Sequence, residues 1–198
     1  MRGAYLLSRV ILGPARADRA RAREETRDIA HLPDRRMLAN AYLPAVAEAG
    51  GRILWVGTRP YTAENYAVLA SGGGEVWTTD VDPQAARWGQ SGRHRTGDVC
   101  EIDRLFSDMI FDTIIFNGVL GFGVDAPEDQ QRALTALAKI LRPGGLMLLG
   151  WNTDRIDDPV AAGLTDELYA RTDFAGQPSR VAFPDSTHVY DAFRRTSI

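Results

Sequence analysis

From Arg52 onward the chain alternates short apolar runs with mixed polar stretches and glycine-rich breaks. Ile53-Leu54-Trp55-Val56, followed by Gly57, has the pattern of a strand buried on both faces. Residues 62–70 read as a helix that Ser71-Gly72-Gly73-Gly74 stops, and EVWTTD, residues 75–80, reads as a second strand rich in β-branched and aromatic residues. Asp82-Pro83 predicts another helix, with Asp82 as N-cap and Pro83 at its first position. A weak strand near 94–96 leads to Gly97-Asp98, and FDTIIFN at 111–117 is a strong one. Asp125 and Glu128 form a capping-box pattern with Pro127 in the first turn, and Leu134, Leu137, Ala138 and Leu141 then recur on one helical face. Arg142-Pro143-Gly144-Gly145 ends that helix, and Leu146 to Trp151 is the next buried strand.

Alternating strand and helix predicts an α/β fold, a doubly wound and mostly parallel sheet covered on both faces. The tail departs from this rhythm. A helix is expected near Leu164–Arg171, then two close strands, 180–183 and 188–193, which form an antiparallel hairpin. Upstream, residues 15–34 predict an exposed helix with Glu24 and Asp28 paired to Arg neighbours, and residues 34–49 a second helix stopped at Gly50-Gly51. The chain thus divides into an N-terminal helical segment, 1–50, and an α/β domain, 51–198.

Composition narrows the function classes. The 198 residues are 44% hydrophobic and 25% charged, an ordinary globular balance. The single Cys100 excludes an internal disulfide framework and a multi-cysteine zinc site. A net charge of −3 argues against a general nucleic-acid binder, and no apolar run approaches the ~20 residues of a membrane span. Nine Arg face five acids in residues 1–36. The apolar stretch Tyr5–Leu12 is broken by Ser8 and Arg9 and lacks a cleavage site, so it does not read as a signal peptide, and a cytoplasmic protein is expected. Packing on the domain, a homodimer contact and surface association with a membrane stay open for it.

In open α/β sheets ligands bind beyond the carboxyl ends of the strands. The residues there are Gly57-Thr58, Asp80, Asp98, Asn117-Gly118 and Trp151-Asn152. Gly57 allows close approach, and Asp80 lies where an acid accepts hydrogen bonds from two ribose hydroxyls. Asp98 is placed to receive an adenine amino group. Asp82 reads as a cap, His94 as structural, Cys100 as a small buried hydrophobe, Trp55 and Trp77 as core, and Trp88 as cover for a helix end.

RILWVG, EVWTTDVDP, TGDV, FDTIIFNGVLGFG and ILRPGGLMLLG, in that order, resemble the class I S-adenosylmethionine (SAM)-dependent methyltransferases from about Gly51 through Asn152. The hairpin is similar to their last two strands. The resemblance implies a seven-stranded, mostly parallel sheet with an antiparallel C-terminal hairpin, and SAM as cofactor. It assigns cofactor contacts to Gly57, Thr58, Arg59, Tyr61, Asp80, Val81, Asp98, Val99, Asn117 and Gly118. A small-molecule methyl acceptor is expected against Phe122, Trp151 and Asn152, with specialised metabolism as one setting for such an enzyme. Departures are plain. Where the family reads acid-x-G-x-G-x-G, this chain has Trp55, Gly57, Arg59 and Tyr61, and Pro60 removes a backbone donor. Arg59 or the Tyr61 hydroxyl either holds the methionine carboxylate or merely covers the loop. Gly118-Val119 replaces the prolines of the amino-methylating branches, and no carboxylate cluster suggests a metal. The implied reaction is in-line attack on a sulfonium methyl, and no His or acid stands out as its base. A non-catalytic SAM-binding or scaffold protein stays open because the glycine loop is eroded. A nicotinamide-dependent oxidoreductase fits less well, because GTRPYT lacks G-x-G-x-x-G. The first 30 residues are expected to form a lid over the site.

Overall fold

The computed structural model describes residues 14–197. The apolar stretch Tyr5–Leu12, with its lid, dimer and membrane readings, lies outside the described residues. Helix α1 spans Pro14–Ile29 and α2 spans Pro33–Met37, continuing through one π-helical turn, Leu38–Tyr42, into α3, Leu43–Ala49. The sheet then begins. Strands β1 (Arg52–Val56), β2 (Glu75–Asp80), β3 (His94–Thr96) and β4 (Phe111–Asn117) are joined by α4 (Asn65–Ala70), short 3-10 turns and α5 (Ile102–Leu105). Helix α6 (Pro127–Ile140) leads into β5 (Leu141–Asn152), followed by β6 (Tyr169–Arg171), β7 (Arg180–Phe183) and β8 (Ser186–Arg195).

The sheet has eight strands, in the order β3-β2-β1-β4-β5-β8-β6, with β7 also paired to β8. β1 to β5 run parallel and β8 antiparallel to β5, so the expected hairpin is present. The eighth strand is β6, where a helix was expected. Tyr169–Arg171 pairs with the far end of β8, and the Tyr169 hydroxyl donates to Leu134 O at 2.8 Å. An edge with open ladder groups outcompetes the helical spacing of Leu164 and Leu168.

Alternation along the strands sorts two cores. Leu54, Val56, Ile114, Phe116, Met147 and Leu149 pack against α5 and α6. Ile53, Trp55, Ile115, Leu148 and Tyr190 pack against Leu38, Tyr42, Leu43 and Val46 of the helices before the sheet, and against α4. Residues 38–46 therefore supply one covering layer of the sheet. Each fully buried Leu or Phe contributes ~1.5–3 kcal/mol. Among the described side chains of α1 only Ala17 and Ala22 are buried, outside both cores, and ion pairs there join Glu25 with Arg21 and Glu64 with Arg23. The expected capping box of α6 also fails. Ala126 is the N-cap, and Asp125 Oδ1 instead accepts from Gly123 N–H at 3.1 Å, because the preceding loop turns back on itself.

Candidate active site

Parallel strands end on one edge of the sheet, and this brings distant residues together. An open cleft of about 870 Å³ lies over the ends of β1, β2 and β4. Gly57, just past β1, has φ +85°, and a Cβ there would sit 3.1 Å from Val119 Cγ2. Only glycine accepts both that conformation and that neighbour without strain.

The most buried charged group of the cleft is Asp80 at the end of β2, 6% exposed. Its Oδ2 accepts from Thr58 N–H at 2.7 Å and from Arg59 Nη1 at 2.9 Å, and its Oδ1 accepts from Asp82 N–H at 2.9 Å. A carboxylate offers about four lone-pair sites, so three are already engaged. The Arg59 side chain is half exposed, and an ion pair of that kind is worth ~0–1 kcal/mol, so the guanidinium can leave at little cost. The backbone of Arg59 is better fixed: its N–H donates to Thr62 Oγ1 at 3.0 Å, and that hydroxyl meets Tyr66 OH at 2.7 Å. Burial raises the Tyr66 phenol well above its ordinary value, so it stays neutral.

Asp98 follows β3 and lines the cleft, while its Oδ1 caps the next turn by accepting Cys100 N–H at 2.9 Å. Asn117, Gly118 and Phe122 form the opposite wall, with the Arg155 guanidinium 5.0 Å above the Phe122 ring. Arg35 of α2 closes a further side, stacked on Tyr61 at 5.1 Å.

A family described as a methyltransferase domain matches residues 59–149. Curated relatives include the ubiquinone/menaquinone biosynthesis C-methyltransferase UbiE of Bordetella avium, 32% identical over 108 residues, 50% of this chain and 39% of that protein. The chain thus spans about two fifths of the length of such relatives. Among solved structures, N-methyltransferase NodS from Bradyrhizobium japonicum superposes with a TM-score of 0.62 at 17% identity, covering 85% of this chain and 99% of NodS. A TehB-like SAM-dependent methyltransferase from Corynebacterium glutamicum does so with 0.59 at 19%, covering 87% and 99%. At such identities the structures establish the fold. Residues 59–149 thus resemble a methyltransferase domain, carried on a sheet with the fold of the solved methyltransferases.

Most of the residues that the resemblance assigned to SAM do line one cleft: Gly57, Arg59, Tyr61, Asp80, Val81, Asp98, Val99, Asn117 and Gly118, together with Phe122 from the expected acceptor wall. Three assigned residues are not in the lining. Thr58 is buried beneath it, with its N–H on Asp80 and its hydroxyl donating to Ala85 O at 3.0 Å. Trp151 is buried in the core on the other face, where Nε1 donates to Asp191 Oδ2 at 2.9 Å. Adjacent strand residues point to opposite faces, and the Trp151 side chain is taken up by the core beneath the sheet. Asn152 lies behind the wall, its Oδ1 3.1 Å from His188 Nδ1. Sequence reading missed Arg35, which looks like any other Arg in its basic stretch. Asp82 caps its helix by accepting Gln84 N–H at 2.8 Å, as expected, and burial pushes the Cys100 thiol up to about 11. Among the described residues no group of His, Cys, Asp and Glu is arranged to hold a metal ion, and no helix is long and apolar enough to cross a membrane.

The donors and acceptors present suit SAM. Asp80 has a remaining lone pair and a second once Arg59 swings away, and Asp98 stands one strand along, with Val81 and Val99 lining the cleft beside them. Past Gly57 the backbone N–H groups of Thr58 and Arg59 are already spent on Asp80 and Thr62, and position 60 is proline and has none.

Proposed function

We propose that this chain transfers a methyl group from SAM to a small-molecule acceptor in the cytoplasm, with specialised metabolism as one setting. The observation that carries the reading is the convergence of Gly57, Asp80, Asp98 and Asn117 on one cleft in a methyltransferase domain. When bound, SAM supplies a methyl already activated on sulfonium sulfur. The protein's part is to hold, align and dry the reactants. Asp80 accepts the ribose hydroxyls, Asp98 receives the adenine amino group, and Val81 and Val99 sandwich the apolar faces of the base. Arg59, released from Asp80, turns to the methionine carboxylate, and this replaces the lost loop donors. Asn117, Gly118 and Phe122 wall the acceptor side. The relatives named for quinone C-methylation support a small-molecule acceptor. α1 lies against the same loop: Thr26 Oγ1 donates to Tyr61 O at 3.3 Å, and Arg21 lies 5.6 Å over Trp88. That contact supports a lid role for the N-terminal segment. Calorimetry with S-adenosylhomocysteine (SAH) tests the reading, and a methylated product from an acceptor screen separates it from a non-catalytic SAM-binding protein.

A further inference from the structure

A second open cavity, of about 630 Å³, lies beside the cleft over the strand ends. That is room for a small ligand. α2 and its π-helical turn form one side, and the end of α1, the loop at Tyr61 and the start of α4 form the other. Arg35 and Tyr61 line this cavity and the cleft alike, so the guanidinium stacked on the phenol ring stands at the seam between the two. The hydrogen bond from Thr26 Oγ1 to Tyr61 O at 3.3 Å, which ties α1 to the loop, belongs to the same wall.

The lining has one sign of charge. Arg35 and Arg36 are its charged side chains, and no acid is among its residues. Arg35 is answered from behind: its Nε is 3.3 Å from Oδ2 of the buried Asp34, yet that nitrogen makes no hydrogen bond among the described residues. Arg36 has no ion pair among the described residues. Two guanidinium groups against one carboxylate leave a single positive charge unmatched. Asn40 and Asn65 bring amides to the same cavity, and Ile29 and Leu38 bring apolar surface.

This lining selects its ligand. A guanidinium meets a carboxylate through two parallel N–H···O bonds, a geometry that an ammonium cannot use and that the positive charge opposes. One unmatched charge suits a carboxylate rather than a phosphate dianion, and the apolar surface suits an aliphatic or aromatic body. We propose that this cavity binds the carboxylate of the methyl acceptor, with Arg36 and Arg35 on its oxygens and the rest of the molecule running past Tyr61 into the cleft. The acceptor is then a small organic acid. The carboxylate is its handle and not its nucleophile, because both oxygens are engaged by N–H groups. The inference rests on the SAM reading above.

The test uses the full chain, with and without saturating SAH, titrated by calorimetry with 4-hydroxycinnamate and with octanoate. Their primary amides, uncharged and of the same shape, are the controls. At least one acid is expected to bind saturably, and its amide about tenfold more weakly or less tightly still. R36Q should weaken the acid about fivefold or more and leave the SAH constant within about twofold, since Arg36 does not line the cleft. R35Q also unpairs Asp34, so R36Q carries the test. Interligand nuclear Overhauser effects between bound acid and SAH should place the two side by side. Neither acid binding at millimolar concentration, acid and amide binding alike, or R36Q without effect on the acid overturns the proposal. R36Q weakening SAH as much as the acid also overturns it, because the arginines would then hold the methionine carboxylate. Saturable acid binding with no interligand effect makes the cavity a separate anion site and overturns the acceptor role. SAH that fails to bind removes the underlying reading whatever the acids do, while SAH binding with indifferent acids removes only this inference.

Discussion

Asp80→Asn is the most informative single change at the site. The carboxylate accepts Thr58 N–H, Asp82 N–H and the Arg59 guanidinium, and one lone pair stays open until Arg59 leaves. Hydrogen bonds to a charged group are worth ~1.5–3 kcal/mol, and displacing the half-exposed Arg59 costs at most ~1 kcal/mol. The asparagine keeps one acceptor oxygen but presents an NH2 where a donor already points, so the ribose loses both charge and acceptor. The balance predicts a loss of roughly 1.4–2.8 kcal/mol, a tenfold to hundredfold rise in the SAH dissociation constant. Arg59→Gln should change the constant less, because it gives up a carboxylate contact but also frees Asp80. Calorimetry reads both variants, with melting temperatures to show that they remain folded. A folded D80N with an unchanged constant refutes the ribose role, and R59Q weakening SAH more than D80N makes Arg59 the main anchor.

Four further outcomes follow from particular contacts. Asp191 is fully buried and accepts Trp151 Nε1 and two Arg180 nitrogens, so D191A should lose about 3 kcal/mol in urea unfolding, a figure near zero ruling out the pair as a strut. His188 sits at about 4 in the folded protein against 6.5 unfolded, so the unfolded chain takes up the proton first as pH falls. Stability is therefore fully present above 6.5 and declines toward pH 4 by up to ~3 kcal/mol, and H188Q should flatten that part of the curve. Gly150→Ala forces a Cβ against Asn117 and His188, so it should destabilise by ~1–3 kcal/mol in urea unfolding, with native-like stability as the contrary result. Deleting residues 1–30 should spare folding and SAH binding but remove acceptor-dependent hydrogen-exchange protection of residues 58–62. A change in sedimentation mass alone would instead make the segment a subunit contact.

The parallel core was readable because buried strands leave continuous apolar runs, and Gly57, Asp80, Asp98 and Asn117 could be grouped because parallel strands end on one edge. Other features depend on long-range pairing. β6 carries a helix-like spacing, and only the open edge of β8 makes Tyr169–Arg171 a strand. Trp151 was legible in principle, since a two-residue period sets it opposite Asn152. The register that places His188 beside Asn152, and the packing of α2 that carries Arg35 to the cleft, have no local signature. The local chemistry of Asp80 was also only half visible: an acid at a strand end is plain, but its occupation by Arg59 follows from the loop path through Pro60.

The central claim is that the cleft over β1, β2 and β4 is a SAM site. Titrating SAH into the full chain by calorimetry, with NADH in a parallel cell, tests it directly. The account predicts saturable one-to-one SAH binding that D80A weakens at least tenfold, and no comparable heat from NADH. No saturable SAH binding at millimolar concentration, or tighter binding of NADH, would contradict it.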